Sequence, residues 1–138
     1  MLFRSDAFVV TNPEVSSVRD SDRMLGILSS KSRRAELNME PIKEYLLLSR
    51  YDPERVESGE MLSLEDVQEI LSLHLLGVIP ESKAVLNASN SGVPVILDEK
   101  SDAGQAYADV VARYLGEKRP LRFIDNKKGF FRKLFGGK

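Results

Sequence analysis

AFVVTNPEV, residues Ala7 to Val15, sets the pattern from which the rest of the chain is read. The unbroken apolar run up to Thr11 matches a short strand buried on both faces, the form strands take in parallel sheets. Asn12 has the side chain of a helix N-cap, Pro13 the fixed φ of a first helical residue, and Glu14 a charge that suits a first turn. A helix is therefore predicted over about Pro13 to Ser30. Val15, Val18, Leu25 and Leu28 face inward on it, while Arg19, Asp20, Asp22 and Arg23 face outward. On pattern alone that charged cluster is a solvated helix face.

The same grammar repeats downstream. Ser29 to Pro41 reads as a polar loop, and EYLLLS (Glu44–Ser49) as a second strand. Arg50 to Leu62 is a charged connection with a turn at Asp52–Pro53 and a flexible point at Gly59. Ser63 opens a helix with Asp66 placed for a capping box, and Leu64, Val67, Ile70 and Leu71 supply its apolar side. LLGVIP (Leu75–Pro80) is a third strand. Glu81 to Gly92 is a short helix or turn, and VPVIL (Val93–Leu97) a fourth strand that Pro94 places at a sheet edge. Ser101 caps a helix on which Ala103, Tyr107, Val110, Val111, Tyr114 and Leu115 recur up to a stop at Gly116. Glu117 to Asn126 links it to a tail. This alternation predicts an α/β fold, a mostly parallel sheet with flanking helices. Ligands are expected beyond the carboxyl ends of the strands, at Thr11–Asn12, Ser49–Arg50–Tyr51 and Pro80–Glu81–Ser82.

The tail, KKGFFRKLFGGK from Lys127 to Lys138, differs in kind. Wound as a helix it gathers Phe130, Phe131, Leu134 and Phe135 into one sector, with Arg132 and Lys133 outside it. Such a segment suits the surface of an anionic bilayer. At about 18 Å long it is too short to cross one. Two alternatives stay open at this point: the aromatic residues dock on the protein's own core, or the tail is unstructured.

The chain has 138 residues, 42% of them hydrophobic and 30% charged, the balance of a globular domain. Its net charge of −1 conceals an asymmetry. Lys127, Lys128, Arg132, Lys133 and Lys138 carry the tail's five positive charges, so the remainder stands at −6. An acidic body argues against a nucleic-acid partner. The absence of cysteine excludes disulfides and thiolate chemistry and agrees with a reducing cytosol. No signal peptide or transmembrane stretch is visible. His74, the single histidine, reads as a structural residue between a helix and a strand. No catalytic or metal-binding set can be assembled, and both phosphate-cradling glycine motifs are missing.

TNPEVSSVRDSDR, LLLSRYDPERV, GVIPES, SNSGVPVILD, SDAGQAYADVV and GFFRKLFGGK resemble, in that order, successive segments of the MinD group within the ParA/MinD deviant-Walker ATPases. The resemblance runs from about Ala7 to Lys138 and corresponds to the C-terminal half of the family's P-loop NTPase-like, doubly wound fold. It implies a partial nucleotide-binding domain over residues 1–119, a linker over 120–126 and a membrane-targeting amphipathic helix over 127–138. It further implies ATP with Mg as cofactor, with Arg50, Pro80 and Glu81 bordering the adenine. Ser16, Arg19, Asp20 and Asp22 would contact the division partners MinC and MinE. Phe130, Phe131, Arg132, Lys133, Leu134 and Phe135 would meet the anionic membrane, and ATP would join two protomers into a homodimer. The implied function is ATP-dependent placement of the division septum by a cytoplasmic protein held peripherally at the inner face of the cell membrane. Without the family's lysine-rich phosphate loop, this chain by itself is expected not to hydrolyse ATP. The alternative is a non-enzymatic α/β partner-binding module with a reversible membrane anchor.

Overall fold

The computed structural model describes residues 6–31, 37, 39–40 and 42–125. Its centre is β2 (Lys43–Tyr51), which pairs in parallel with β1 (Asp6–Thr11) on one side and β3 (His74–Pro80) on the other. The order β1-β2-β3 makes a three-stranded parallel sheet. Leu46, Leu47 and Leu48 are 0%, 8% and 0% exposed. Side chains alternate across a strand, so three consecutive buried leucines require cover on both faces.

Two helical layers supply that cover. On one face Leu46, Leu48 and Val78 meet Val18 of α1 (Val15–Lys31) and Leu64, Val67 and Leu71 of α3 (Leu64–Leu71). On the other face Leu47, Leu76 and Ile79 meet Ala103, Ala106 and Val110 of α5 (Asp102–Tyr114). The second layer lies close because two glycines permit it. A β-carbon on Gly77 would collide with Val110, and one on Gly104 would collide with the Asp98 carbonyl oxygen.

Most predicted elements are present, with instructive shifts. The first helix begins at Val15 rather than Pro13, because the Glu14 carbonyl accepts the Val18 N–H in its first bond. Asn12 is not its N-cap; its Oδ1 accepts a bond from Ser49 Oγ at 2.9 Å. Val15, expected inward, is 51% exposed, and Ile70 is 47% exposed at the margin of α3's apolar stripe. The Asp52–Pro53 turn continues into a helix, α2 (Pro53–Glu57), with Asp52 as N-cap and Pro53 in its first turn. Most of the polar loop expected at 29–41 lies outside the described residues.

One expected element is absent. Val93–Leu97 is not a fourth strand but a 3-10 turn over Val95–Leu97, following α4 (Lys83–Ser91). Pro94 has no N–H for a ladder. Its carbonyl instead accepts from Leu97 N–H at 3.1 Å, and that of Val95 from Asp98 N–H at 2.9 Å. The turn then feeds Ser101, whose hydroxyl accepts from Gly104 N–H at 3.0 Å and caps α5.

Ser63 and Asp66 form the predicted capping box, with Ser63 N–H donating to Asp66 Oδ2 at 3.0 Å. The Ser63 hydroxyl, followed by that backbone N–H, holds the Asp66 carboxyl below its ordinary 3.8. A depressed folded value means the stabilisation is present above the ordinary value and is lost as pH falls through the folded one. Asp66→Asn is therefore expected to flatten the loss of stability between about pH 5 and about pH 3, read by urea unfolding across that range. Gly104→Ala is expected to cost about 1–3 kcal/mol by the same assay, because rigid backbone must move.

Candidate functional site: the carboxyl edge of the sheet

At the carboxyl edge the β2 ladder is irregular, with Leu48 opposite Val78 but Tyr51 opposite Pro80. One extra residue on β2 has to be absorbed there. Arg50 takes it up in a left-handed conformation, φ 55°. A non-glycine residue in that region costs of order 1 kcal/mol and persists where its surroundings hold it. The bulge leaves Arg50 exposed, and its Nε donates to Glu81 Oε2 at 3.1 Å. Glu81 N–H donates to the Tyr51 carbonyl at 2.9 Å, so both ends of the pair are fixed by backbone. The structure thus joins Arg50, Pro80 and Glu81 into one ledge. Both side chains of the ion pair are about half exposed, so it contributes little to stability and can open toward a ligand.

Beneath the ledge, burial pushes the Tyr51 hydroxyl above its ordinary value, with Glu65 and Asp125 adding to the effect. Beside it Ser82 caps α4, its Oγ accepting from Ala84 N–H at 3.3 Å. The same Oγ donates to Asp102 Oδ1 at 2.6 Å, tying the start of α4 to that of α5. Sequence reading had not linked these two helices.

Ser16, Arg19, Asp20 and Asp22 lie exposed on α1, away from the sheet. Arg19, Asp20 and Asp22 form no ion pair with another described residue. Their charges are left available to a partner. His74 is exposed and meets the Tyr45 ring edge-on at 5.9 Å. Among the described residues no cluster of histidine or acidic side chains could hold a metal. None of their helices is long and apolar enough to cross a membrane.

The stretch after α5 holds the feature that the sequence reading missed. Asp109, 3% exposed, accepts from Arg122 Nε at 2.7 Å and lies 3.8 Å from Arg119 Nη1. Arg122 also donates to the side chain and carbonyl of Gln105. Arg113 donates to the Arg119 and Pro120 carbonyls and to that of Leu76 in β3. Burial draws its guanidinium below the ordinary value, against the opposing pull of Asp109. Phe123 packs on the α5 layer, while Leu121 and Ile124 pack on the α1 and α3 layer. Residues 117–125 are therefore a strap with apolar contacts on both layers. The available signal was an acid, Asp109, inside the apolar stripe of α5, followed by Arg113, Arg119 and Arg122. The six tail residues assigned to membrane contact, Phe130 to Phe135, lie outside the described residues.

No family model matches the chain. It is 66% identical over 138 residues to the septum site-determining protein MinD of Escherichia coli strain K12, an alignment covering 99% of this chain and 51% of that protein. Identity to MinD of Buchnera aphidicola from Acyrthosiphon pisum is 62% over 135 residues, covering 97% and 50%. Over 97–99% of its own length the chain matches MinD proteins. It spans about half the length of these relatives. Among solved structures it resembles the MinC:MinD cell division protein complex of Aquifex aeolicus, with a TM-score of 0.75, 38% identity, and coverage of 87% of this chain and 46% of that one. It also resembles MinD of Pyrococcus horikoshii complexed with Mg-ADP, with a TM-score of 0.62, 25% identity, and coverage of 81% and 43%. The parallel sheet between helical layers is thus the MinD fold over this half.

The strap is held to α5 through one buried acid, Asp109. Asp109→Asn removes the charge that two arginines share, and is expected to destabilise the protein by about 1–2 kcal/mol. Proteolysis between Glu117 and Asp125 should quicken in the same variant, as followed by mass spectrometry of the fragments.

Proposed function

We propose that this chain is part of a MinD-type, ATP-dependent regulator of division septum placement that works with MinC and MinE at the inner membrane surface. The observation that carries the reading is the 66% identity to a septum site-determining protein over 99% of this chain. The Arg50–Glu81 ledge with Pro80 behind it serves as the adenine side of an ATP site. The Mg-ADP complex of the Pyrococcus horikoshii MinD supports nucleotide binding among such proteins. The exposed face of Ser16, Arg19, Asp20 and Asp22 receives the partners, and the MinC:MinD complex of Aquifex aeolicus supports MinC as one of them.

The tail completes the switch. Each large apolar side chain gains roughly 1.5–3 kcal/mol if fully buried in the bilayer, and each cation about 1 kcal/mol near an anionic surface. The ordering of a helix too short to be stable in water opposes this. One tail binds marginally; two tails joined in an ATP-dependent homodimer bind far better through effective concentration. ATP binding and hydrolysis thereby become attachment and release.

The sequence contains no G-x-x-x-x-G-K-[ST] loop, so this chain supplies the adenine contacts without the phosphate cradle. On its own it is expected to show no ATP turnover above a buffer control. The anchor is tested by sedimentation with phosphatidylglycerol vesicles. The intact chain, dimerised through a fused coiled coil, should pellet with them, and Phe131→Glu in the same fusion should lower the bound fraction at least tenfold. Equal binding by the two proteins would remove the tail from the mechanism.

A further inference from the structure

A groove of about 380 Å³ opens beside the N-terminus of α1, lined by residues other than Arg50, Pro80 and Glu81 of the ledge. Val15, Val56 and Leu62 give it apolar walls, and Glu14, Glu60 and Asp66 stand among its lining. Nothing in the fold requires Val15 to be bare, yet half its surface is. Asp66 is engaged by Ser63, and Glu60 faces Arg55 at 3.6 Å across an exposed pair of little strength. Glu14 forms no ion pair with another described residue and is open to a cation. An apolar trough with acidic residues along it is the complement of a short cationic helix with aromatic residues on one side.

The sequence of the tail has that pattern, and the strap that precedes it ends on the layer that borders the groove. Asp125, the last described residue, acts on the Tyr51 hydroxyl together with Glu65, which lies in the first turn of α3 beside the groove residue Asp66. Ile124 and Leu121 pack on the same core cluster as Val56 and Leu62. The described chain therefore ends on the same helical layer as the groove, and the cationic stretch of the sequence begins two residues later at Lys127. With a length of about 18 Å as a helix, it needs no long linker to lie across the opening. Tethering over so few residues gives an effective concentration of order millimolar, enough for a weak contact to be occupied.

We infer that this groove holds the chain's own C-terminal tail when no membrane is present. Phe130, Phe131 and Leu134 enter the trough, and Arg132 and Lys133 approach Glu14 and Glu60. The proposal rests on the reading of the tail as a membrane anchor and adds its regulation. The same aromatic face cannot occupy the groove and the bilayer together, so docking withholds the anchor. Affinity for the membrane is then reduced by the fraction of time the tail is free.

The test uses the full chain in two measurements. Sedimentation with phosphatidylglycerol vesicles compares wild type with Val15→Asn, which leaves net charge unchanged, and with the pair Glu14→Gln and Glu60→Gln. The pair Glu69→Gln and Glu99→Gln is the charge-matched control away from the groove. The groove variants are expected to bind vesicles about fivefold more tightly than wild type, and the control pair not to exceed wild type by more than about twofold. Without vesicles, amide resonances of residues 60–67 should shift between wild type and the tail variant Phe131→Glu, and the shift should persist on tenfold dilution.

Wild type and groove variants binding vesicles equally, with no resonance change, would overturn the docking and leave the anchor intact. Resonance changes without vesicle binding by any variant would overturn the anchor and leave the docking intact. A shift that fades on dilution assigns the groove to the tail of a second copy and overturns the intramolecular contact.

Discussion

Burial of β2 on both faces is the constraint from which the rest of the molecule follows. A strand with Leu46, Leu47 and Leu48 in succession needs a neighbour on each edge and a helix layer above and below. β1 and β3 fill the edges, α1 with α3 covers one face, and α5 covers the other. Because all three strands run parallel, their carboxyl ends meet along a single edge of the sheet. That is where Arg50, Pro80 and Glu81 come together although they are distant in sequence.

The two edges of the sheet are finished differently. β3 is bound by Arg113 through the Leu76 carbonyl and flanked by the strap, whose apolar residues reach both layers. A buried acid secures that strap, one of its oxygens accepting from Arg122 at 2.7 Å and the other lying 3.8 Å from Arg119. β1 has no partner on its other side among the described residues, and Val10 on it is 58% exposed. An open edge with apolar side chains is the kind of surface that further strands or helices cover. This agrees with a chain that spans about half the length of its relatives.

The strap also decides what the tail can do. If residues 117–125 hung free, a weak amphipathic helix would sample a wide volume and find either a membrane or the body at low effective concentration. Fastened by Asp109 and by Leu121 and Ile124, the described chain ends against the layer of α1 and α3. On the proposed function, a weak anchor in a defined position would suit a switch, because small changes in the number of linked tails or in their sequestration would alter occupancy strongly.

The alternation of strands and helices, the capping box at Ser63 and the stop at Gly116 were all legible in the sequence, because each is governed by local periodicity or backbone preference. Local rules also explain the misreadings. Asn12 has the chemistry of an N-cap, but a hydroxyl on the neighbouring strand, Ser49, claims its side chain. Val93–Leu97 has the composition of a strand, yet Pro94 and the tight packing on Gly104 turn it into a 3-10 turn. The ledge, the strap and the groove depend on which distant residues become neighbours. Arg50 meets Glu81 only through the register of β2 and β3, and Asp109 meets Arg122 only because the chain folds back along α5. Periodicity specifies which face of an element is apolar; only the packed sheet decides what that face and its opposite come to touch.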